Sequence, residues 1–227
     1  MSRLRSAIRR RLGRLRRAGI GLVERALNVD TQGVIELEDL DVADAEREGY
    51  EGSGWIDLRR MLRRGEVGPD DVFLDLGSGK GRVVLLAARY PFAKVIGVEI
   101  AEELNAIARR NLASIRIPLR CKRVELVTAD VLEYAIPDEV TVLYLYNPFR
   151  GETFDRVIAN LIASVDRHPR TVRVIYLNPK EHDRLMGTGR FRLERVAGRL
   201  RPRRSEAARS YIRLYVLEPQ AQPGLRR

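Results

Sequence analysis

Residues 72–81 read Val-Phe-Leu-Asp-Leu-Gly-Ser-Gly-Lys-Gly and decide the fold of this chain. A run with strand character ends in a loop with three glycines at alternate positions, and a helical pattern follows from Arg82. Glycine lacks a Cβ, so such a loop can take positive φ angles and let a ligand approach the backbone closely. A strand, a glycine turn and a helix N-terminus together predict a site for a nucleotide-type ligand.

The side chains around the glycines narrow the class of ligand. The dinucleotide fingerprint is G-x-G-x-x-G/A, but the residue three positions after Gly79 is Arg82, which is too large for close helix–strand packing. The motif instead fits acidic-x-G-x-G-x-G, with Asp75 near the strand end. A carboxylate there repels a dinucleotide pyrophosphate and attracts a ligand with a cationic amino-acid end. The pattern therefore favours S-adenosylmethionine (SAM) over a nicotinamide dinucleotide, which stays the alternative as the cofactor of an NAD(P)-dependent oxidoreductase.

The rest of the chain alternates apolar runs and amphipathic stretches, the pattern of a doubly wound, mostly parallel α/β sheet. The predicted strands cover 72–76, 95–99, 124–128, 140–146, 171–177, about 191–199 and about 209–217. The predicted helices cover about 55–64, 80–90, 104–115, 152–166 and 181–187. We interpret 55–217 as the ligand-binding domain, preceded by an acidic lead-in loop at 28–54 and followed by a tail at 218–227.

Positive charge is concentrated at the two ends of the chain. Of the formal net charge of +11, residues 1–27 contribute nine Arg against one Glu, and residues 190–227 contribute eleven Arg against three Glu. Residues 1–27 have the spacing of a basic amphipathic helix, which fits four roles: binding to nucleic acid, contact with an anionic membrane surface, packing on its own domain, or a targeting peptide. No apolar run reaches the roughly 18–20 residues that span a bilayer. The single cysteine, Cys121, favours a reducing, cytoplasmic location.

Polar residues lie at the ends of four successive predicted strands. They are Asp75, Glu99, Asp130 and Asn147. Ligands of open parallel sheets bind beyond the carboxyl ends of the strands, so these side chains are candidates for one site. Each acid taken alone also fits a helix N-cap or a solvated turn. The order of all four along the chain is what favours a common ligand.

These motifs resemble those of class I (Rossmann-like) SAM-dependent methyltransferases over about residues 50–217. The resemblance lies in Asp-Leu-Gly-Ser-Gly-Lys-Gly at 75–81, Val-Ile-Gly-Val-Glu at 95–99 and Thr-Ala-Asp at 128–130. The first motif is also similar to that of Dot1-type histone-lysine methyltransferases. The resemblance implies a seven-stranded sheet whose last strand is antiparallel. It implies a methyltransferase with SAM as its cofactor.

Each strand-end residue has chemistry that suits part of a SAM site. Asp75 can bind the α-ammonium group of the ligand, and the backbone of the 77–81 loop can contact the methionine moiety. Glu99 can accept hydrogen bonds from both ribose hydroxyls. Asp130 can accept a hydrogen bond from the adenine amine, and the Val131 N–H can donate to a ring nitrogen. Ile100 can pack on the face of the adenine ring. The expected cofactor-binding set is Tyr50, Asp75, Gly77, Ser78, Gly79, Gly81, Glu99, Ile100, Asp130 and Val131, with Tyr50 included because aromatic residues before the first strand close over SAM in similar enzymes.

The fourth strand ends in Asn147-Pro148-Phe149, where amino-methylating relatives carry Asp/Asn-Pro-Pro-Tyr/Phe. The resemblance implies that Asn147 aligns the methyl acceptor and that Pro148 and Phe149 contact it, which mildly favours nitrogen over oxygen as the acceptor atom. The second proline is missing here, and an Asn-Pro pair also fits a simple chain turn. The sequence does not identify the acceptor. No Cys/His cluster has metal-ligand spacing, so we expect no metal. A non-catalytic module with a SAM-type fold, bound to nucleic acid or a membrane, is the further alternative.

Overall fold

The computed structural model describes residues 19–35, 50–63, 65–198 and 212–220. The strands are β1 Val34–Ile35, β2 Tyr50–Glu51, β3 Val72–Leu76, β4 Lys94–Glu99, β5 Val124–Thr128, β6 Val140–Leu145, β7 Val172–Leu177, β8 Phe191–Ala197 and β9 Ile212–Leu217. The helices are α1 at 19–27, α2 Asp57–Met61, α3 Arg82–Ala87, α4 Glu102–Ser114, α5 Gly151–Arg167 and α6 His182–Gly187.

Seven strands form one sheet in the order β5-β4-β3-β6-β7-β9-β8. The five strands from β5 to β7 pair in parallel, and β9 pairs antiparallel with both β7 and β8. The predicted mostly parallel, seven-stranded sheet with an antiparallel last strand is therefore confirmed. The chain runs outward from β3 to β5 and then crosses back to β6 on the other side of β3. The carboxyl ends of β3 and β6 are thus the switch point where ligands bind in such sheets.

Apolar side chains cover both faces of the sheet, because its central strands are buried on both sides. On one face the core includes Leu74, Leu76 and the buried stripe of α5. On the other face Phe73 packs with residues of α2 and α3. Side chains alternate along β3, so Asp75 points to the same face as Phe73. The one carboxylate of the strand therefore lies on the face of the sheet that α2 and α3 cover.

The predicted elements differ from the observed ones mainly at their ends. The helix predicted for 55–64 covers only Asp57–Met61, because the Asp57 carboxylate accepts the Gly54 N–H at 2.9 Å and because Leu62 is extended. The segment predicted as a lead-in loop contains a short antiparallel ladder, in which Ile35 pairs with Tyr50. Within the predicted N-terminal helix, residues 19–27 are helical, whereas 1–18 lie outside the described residues, as do 36–49, the connector 199–211 and the tail from 221. None of the helices in the described ranges has the length and apolar composition needed to cross a membrane.

Candidate functional site

The glycine loop after β3 has the conformation that its sequence predicts. The φ angles of Gly77, Gly79 and Gly81 are +78°, +53° and +80°. A Cβ on Gly77 would lie 2.5 Å from the Pro148 Cβ, and one on Gly81 would lie 2.9 Å from the Ala108 Cβ. The loop therefore excludes side chains for two reasons, the left-handed backbone and the lack of space.

Glu99 fixes the loop from the neighbouring strand. Its Oε2 accepts the Gly79 N–H at 2.8 Å, and its Oε1 accepts the Ala101 N–H at 3.0 Å. The side chain is buried at the end of β4. A carboxylate has about four lone-pair positions and can accept several hydrogen bonds at once. Glu99 thus helps to fix the conformation of the glycine loop.

Asp75 is a buried carboxylate without a compensating cation. It is 2% exposed and pairs in the sheet with Gly97 on one side and Tyr144 on the other. In the described part of the chain, no side chain or backbone group forms a hydrogen bond or an ion pair with it. Burial, and then the charge of Glu99, raise the pKa of Asp75 well above its ordinary value. A cationic group from a ligand would remove this electrostatic cost.

Tyr144, which pairs with Asp75 in the sheet, has a buried hydroxyl group. The Tyr144 OH, Ser53 Oγ and Ser78 Oγ are all buried without a well-formed hydrogen bond. Burial, followed by the charge of Asp75, raises the pKa of the Tyr144 phenol well above its ordinary value. Buried polar groups are nearly always paired in proteins, so an uncompensated carboxylate and buried hydroxyl groups without well-formed hydrogen bonds fit a polar, cationic ligand. The residues present therefore fit the amino-acid end of SAM.

The residues predicted to bind adenine lie at the ends of β4 and β5. Asp130 Oδ1 accepts the Leu132 N–H at 2.9 Å, so this side chain caps the turn that follows β5. Asp130, Val131 and Ile100 are all partly exposed. Tyr50 is described only through its backbone, in the ladder with Ile35. The contacts of Asp130, Val131 and Ile100 with adenine, and the closure of Tyr50 over the ligand, remain predictions.

The loop after β6 forms the other wall of the site. Asn147 is buried in a left-handed conformation with φ +43°, and its Oδ1 accepts the Lys180 N–H at 3.3 Å. Pro148 is partly exposed and touches the glycine loop. Phe149 is 1% exposed, and its ring lies 6.2 Å from the Phe154 ring of α5. Its contact with the acceptor remains a prediction.

Three residues near the site have structural roles that the sequence did not predict. Asn178 precedes Pro179 at the end of β7 and also has a positive φ, +52°. The repeated Tyr-Leu before each Asn-Pro, at 144–148 and 176–179, was the signal for this second turn. Lys80 and Arg82 are buried in a polar network with the N-terminal segment. In the described ranges, no three His, Cys, Asp or Glu side chains come together as metal ligands.

The sheet order, with the glycine loop at its switch point, is the architecture of class I SAM-dependent methyltransferases. The structure of the 23S rRNA methyltransferase ErmE superposes with a TM-score of 0.50 at 16% identity, over 75% of this chain and 70% of that one. Within this class, residues 55–122 match the family described as histone methylation protein DOT1. The chain thus resembles that family in its first strands, and the class in its fold.

Two curated methyltransferases match part of the chain. A protein-lysine N-methyltransferase of Saccharolobus islandicus is 36% identical over 90 residues, which are 39% of this chain and 53% of that protein. A probable ribosomal RNA small subunit methyltransferase A of Methanopyrus kandleri is 33% identical over 95 residues, 40% of this chain and 31% of that protein. The chain therefore spans about half or less of the length of these curated relatives.

Proposed function

We propose that this protein is a SAM-dependent methyltransferase. The observation that carries the proposal is the uncompensated carboxylate of Asp75 beside a glycine loop that excludes side chains. A dinucleotide would bring a pyrophosphate to this carboxylate, whereas SAM brings an ammonium group. The matched relatives, which are methyltransferases by name, support the same activity.

We assign each candidate residue to the part of SAM that it would contact. Asp75 accepts from the α-ammonium, and the loop backbone at 77–81 contacts the methionine moiety. Glu99 accepts from the ribose hydroxyls, Asp130 and Val131 bond the adenine edge, and Ile100 packs on its face, with Tyr50 closing the pocket. Bound SAM supplies a methyl group on a sulfonium, which is already an activated leaving group. The protein then needs chiefly to align the acceptor and exclude water.

For the acceptor we propose a nitrogen, aligned by Asn147 and flanked by Pro148. The matched relatives are named for lysine and for ribosomal RNA, so a protein and an RNA are both acceptors to test. The Arg-rich ends of the sequence favour an acidic partner such as nucleic acid or an anionic membrane surface. The lone, buried Cys121 is consistent with action in the cytoplasm.

Calorimetric titration with SAM, S-adenosylhomocysteine (SAH), NAD and NADP tests the cofactor. We expect SAM and SAH to bind and the dinucleotides not to bind. Glu99→Ala should weaken SAH binding by about 1–3 kcal/mol, since it removes charge-assisted hydrogen bonds. Glu103→Ala removes an exposed carboxylate from the adjacent first turn of α4 and should leave binding unchanged. Binding of NAD without SAH would contradict the proposal.

Transfer of labelled methyl from SAM to total protein and to total RNA tests the activity. Label in one pool and not the other identifies the class of acceptor, and alkali-stable label supports nitrogen over a carboxyl ester. SAH binding with no transfer to either pool would favour the non-catalytic module.

A further inference from the structure

Residues 24–33, which we call the N-terminal strap, lie across the glycine loop and α4. Glu24 and Thr31 are buried at 5% and 0% exposure, although they come from a segment that precedes the sheet. Glu24 Oε1 accepts from the Thr31 hydroxyl at 2.5 Å, and its Oε2 accepts from Gln32 Nε2 at 2.9 Å. The strap is thus folded around one buried carboxylate.

Arg82, the first residue of α3, holds that carboxylate. Its Nη2 lies 3.0 Å from Glu24 Oε1 and donates to the Thr31 carbonyl at 2.6 Å, and its Nε donates to the Thr31 hydroxyl at 2.8 Å. Its Nη1 donates to the Ser53 carbonyl, and its guanidinium lies 5.3 Å from the centre of the Trp55 ring. One side chain therefore joins the strap, the segment before α2 and the start of α3.

A second set of bonds ties the strap to the glycine loop itself. Lys80 Nζ donates to the Gln32 carbonyl at 2.7 Å. Asn111 Nδ2 donates to the Asp30 carbonyl at 2.8 Å and to the Lys80 carbonyl at 3.0 Å, while its Oδ1 accepts the Asp30 N–H at 2.8 Å. Lys80 lies between Gly79 and Gly81, so these bonds act directly on the loop.

The glycine loop is therefore held from two sides. Glu99 binds the Gly79 N–H from the sheet, and Lys80 and Arg82 bind the strap from the outside. Three glycines with positive φ lose much conformational entropy when the loop becomes ordered. A loop that is already ordered before a ligand arrives does not incur that cost on binding. Removal of one member of a buried ion pair leaves the other charge uncompensated, so the network is sensitive to single substitutions.

We propose that the strap preorganises the glycine loop for its ligand, with Arg82 as the positioning residue that transmits the effect. Order in the strap and affinity for SAM are then coupled, and the coupling acts in both directions. The identification of the ligand as SAM rests on the proposed function. The effect of the strap on the loop without ligand does not depend on it.

Hydrogen exchange of the full chain without ligand tests whether the strap orders the glycine loop. In Glu24→Gln the backbone N–H groups of 79–82 should exchange faster than in the parent protein. SAH titration tests whether the strap also affects ligand affinity, and we expect Glu24→Gln to weaken binding about 5- to 50-fold. Asp155→Asn, which breaks an exposed ion pair with Arg184 on the far side of the sheet, is the matched control and should change neither readout.

If Glu24→Gln does not fold, Thr31→Val is the milder variant, since it removes only the hydroxyl that Arg82 and Glu24 share. A folded variant with parent-like loop exchange and parent-like SAH affinity would overturn the inference. Faster loop exchange in the variant, together with a parent protein that does not bind SAH, would instead support the role of the strap and reject the proposed function.

Discussion

Gly77 and Pro148 are in direct contact, so that a Cβ on Gly77 would lie 2.5 Å from the Pro148 Cβ. The two residues follow β3 and β6, neighbouring parallel strands in which Leu76 pairs with Leu145. The loop proposed to hold the methyl donor and the loop that carries Asn147 therefore share a wall without free volume. A change in either loop is expected to move the other.

Gly77→Ala should expose this coupling. The substitution introduces both a left-handed Ala, which costs roughly 1–2 kcal/mol, and a clash with Pro148. Gly65→Ala is the matched control, because Gly65 has φ +85° and nothing within 4 Å of the added Cβ. We expect Gly77→Ala to lower the free energy of unfolding by at least about 1 kcal/mol more than Gly65→Ala. Equal losses in urea denaturation would show that the contact is not rigid.

Asp75→Asn should stabilise the protein without ligand and weaken the binding of the proposed cofactor. Burial raises the pKa of Asp75, so the folded state holds this proton more tightly than the unfolded state. Stability is therefore lost as the pH rises from the unfolded pKa through the folded pKa, and Asn avoids that loss. The variant should be more stable than the parent at pH 8, and the difference should vanish near pH 3.

The same variant should bind SAH about 10- to 100-fold more weakly, since it loses a charge-assisted hydrogen bond. Asp70→Asn removes an exposed carboxylate just before β3 and should leave both stability and affinity unchanged. Thermal unfolding over this pH range and calorimetry at pH 8 measure the two effects. A less stable variant with parent-like affinity would remove Asp75 from the proposed site.

The sequence predicted the elements whose cause is local. The three glycines favour their own positive φ angles, and the apolar pattern indicates the strands of the sheet. The loop and the strands were therefore predicted correctly, apart from the ends of the elements. Arg82 shows where such reasoning ends. Its size excludes a dinucleotide fingerprint, but its partner Glu24 lies 58 positions away, and no local pattern predicts that pair. Phe149 is a related case, because its packing against Phe154 of α5 cannot be read from the motif alone.

Asn147→Gly tests the acceptor role without strain in the backbone. Glycine tolerates the positive φ at this position, whereas alanine would add a conformational cost. If Asn147 aligns the acceptor, the variant should keep SAH affinity within about twofold and lose about 10- to 100-fold in kcat. Asn178→Gly changes the equivalent turn after β7 and is the control for a general effect on these loops. Loss of SAH binding in Asn147→Gly would assign Asn147 to the donor side instead.

Glu66 and Arg195 connect the loop before β3 to β8, the strand at the end of the sheet. Glu66 Oε1 lies 2.7 Å from Arg195 Nη2, and this hydrogen bond is the main reason that the pKa of Glu66 is lowered from 4.5 to about 2. A lowered pKa means that the pair stabilises the fold above the unfolded pKa and that this stability is lost as the pH falls toward 2.

Glu66→Gln should therefore reduce the free energy of unfolding by about 1–2 kcal/mol at pH 7, after allowance for solvent screening of a side chain that is 29% exposed. The difference between variant and parent should narrow between pH 5 and pH 3, because the parent carboxylate is increasingly protonated on unfolding. Glu139→Gln breaks an exposed contact with Lys94 and should cost less than about 0.5 kcal/mol at either pH. Urea denaturation at both pH values measures these differences, and a loss for Glu66→Gln that is as large at pH 3 as at pH 7 would show that packing, and not the ion pair, holds β8 in place.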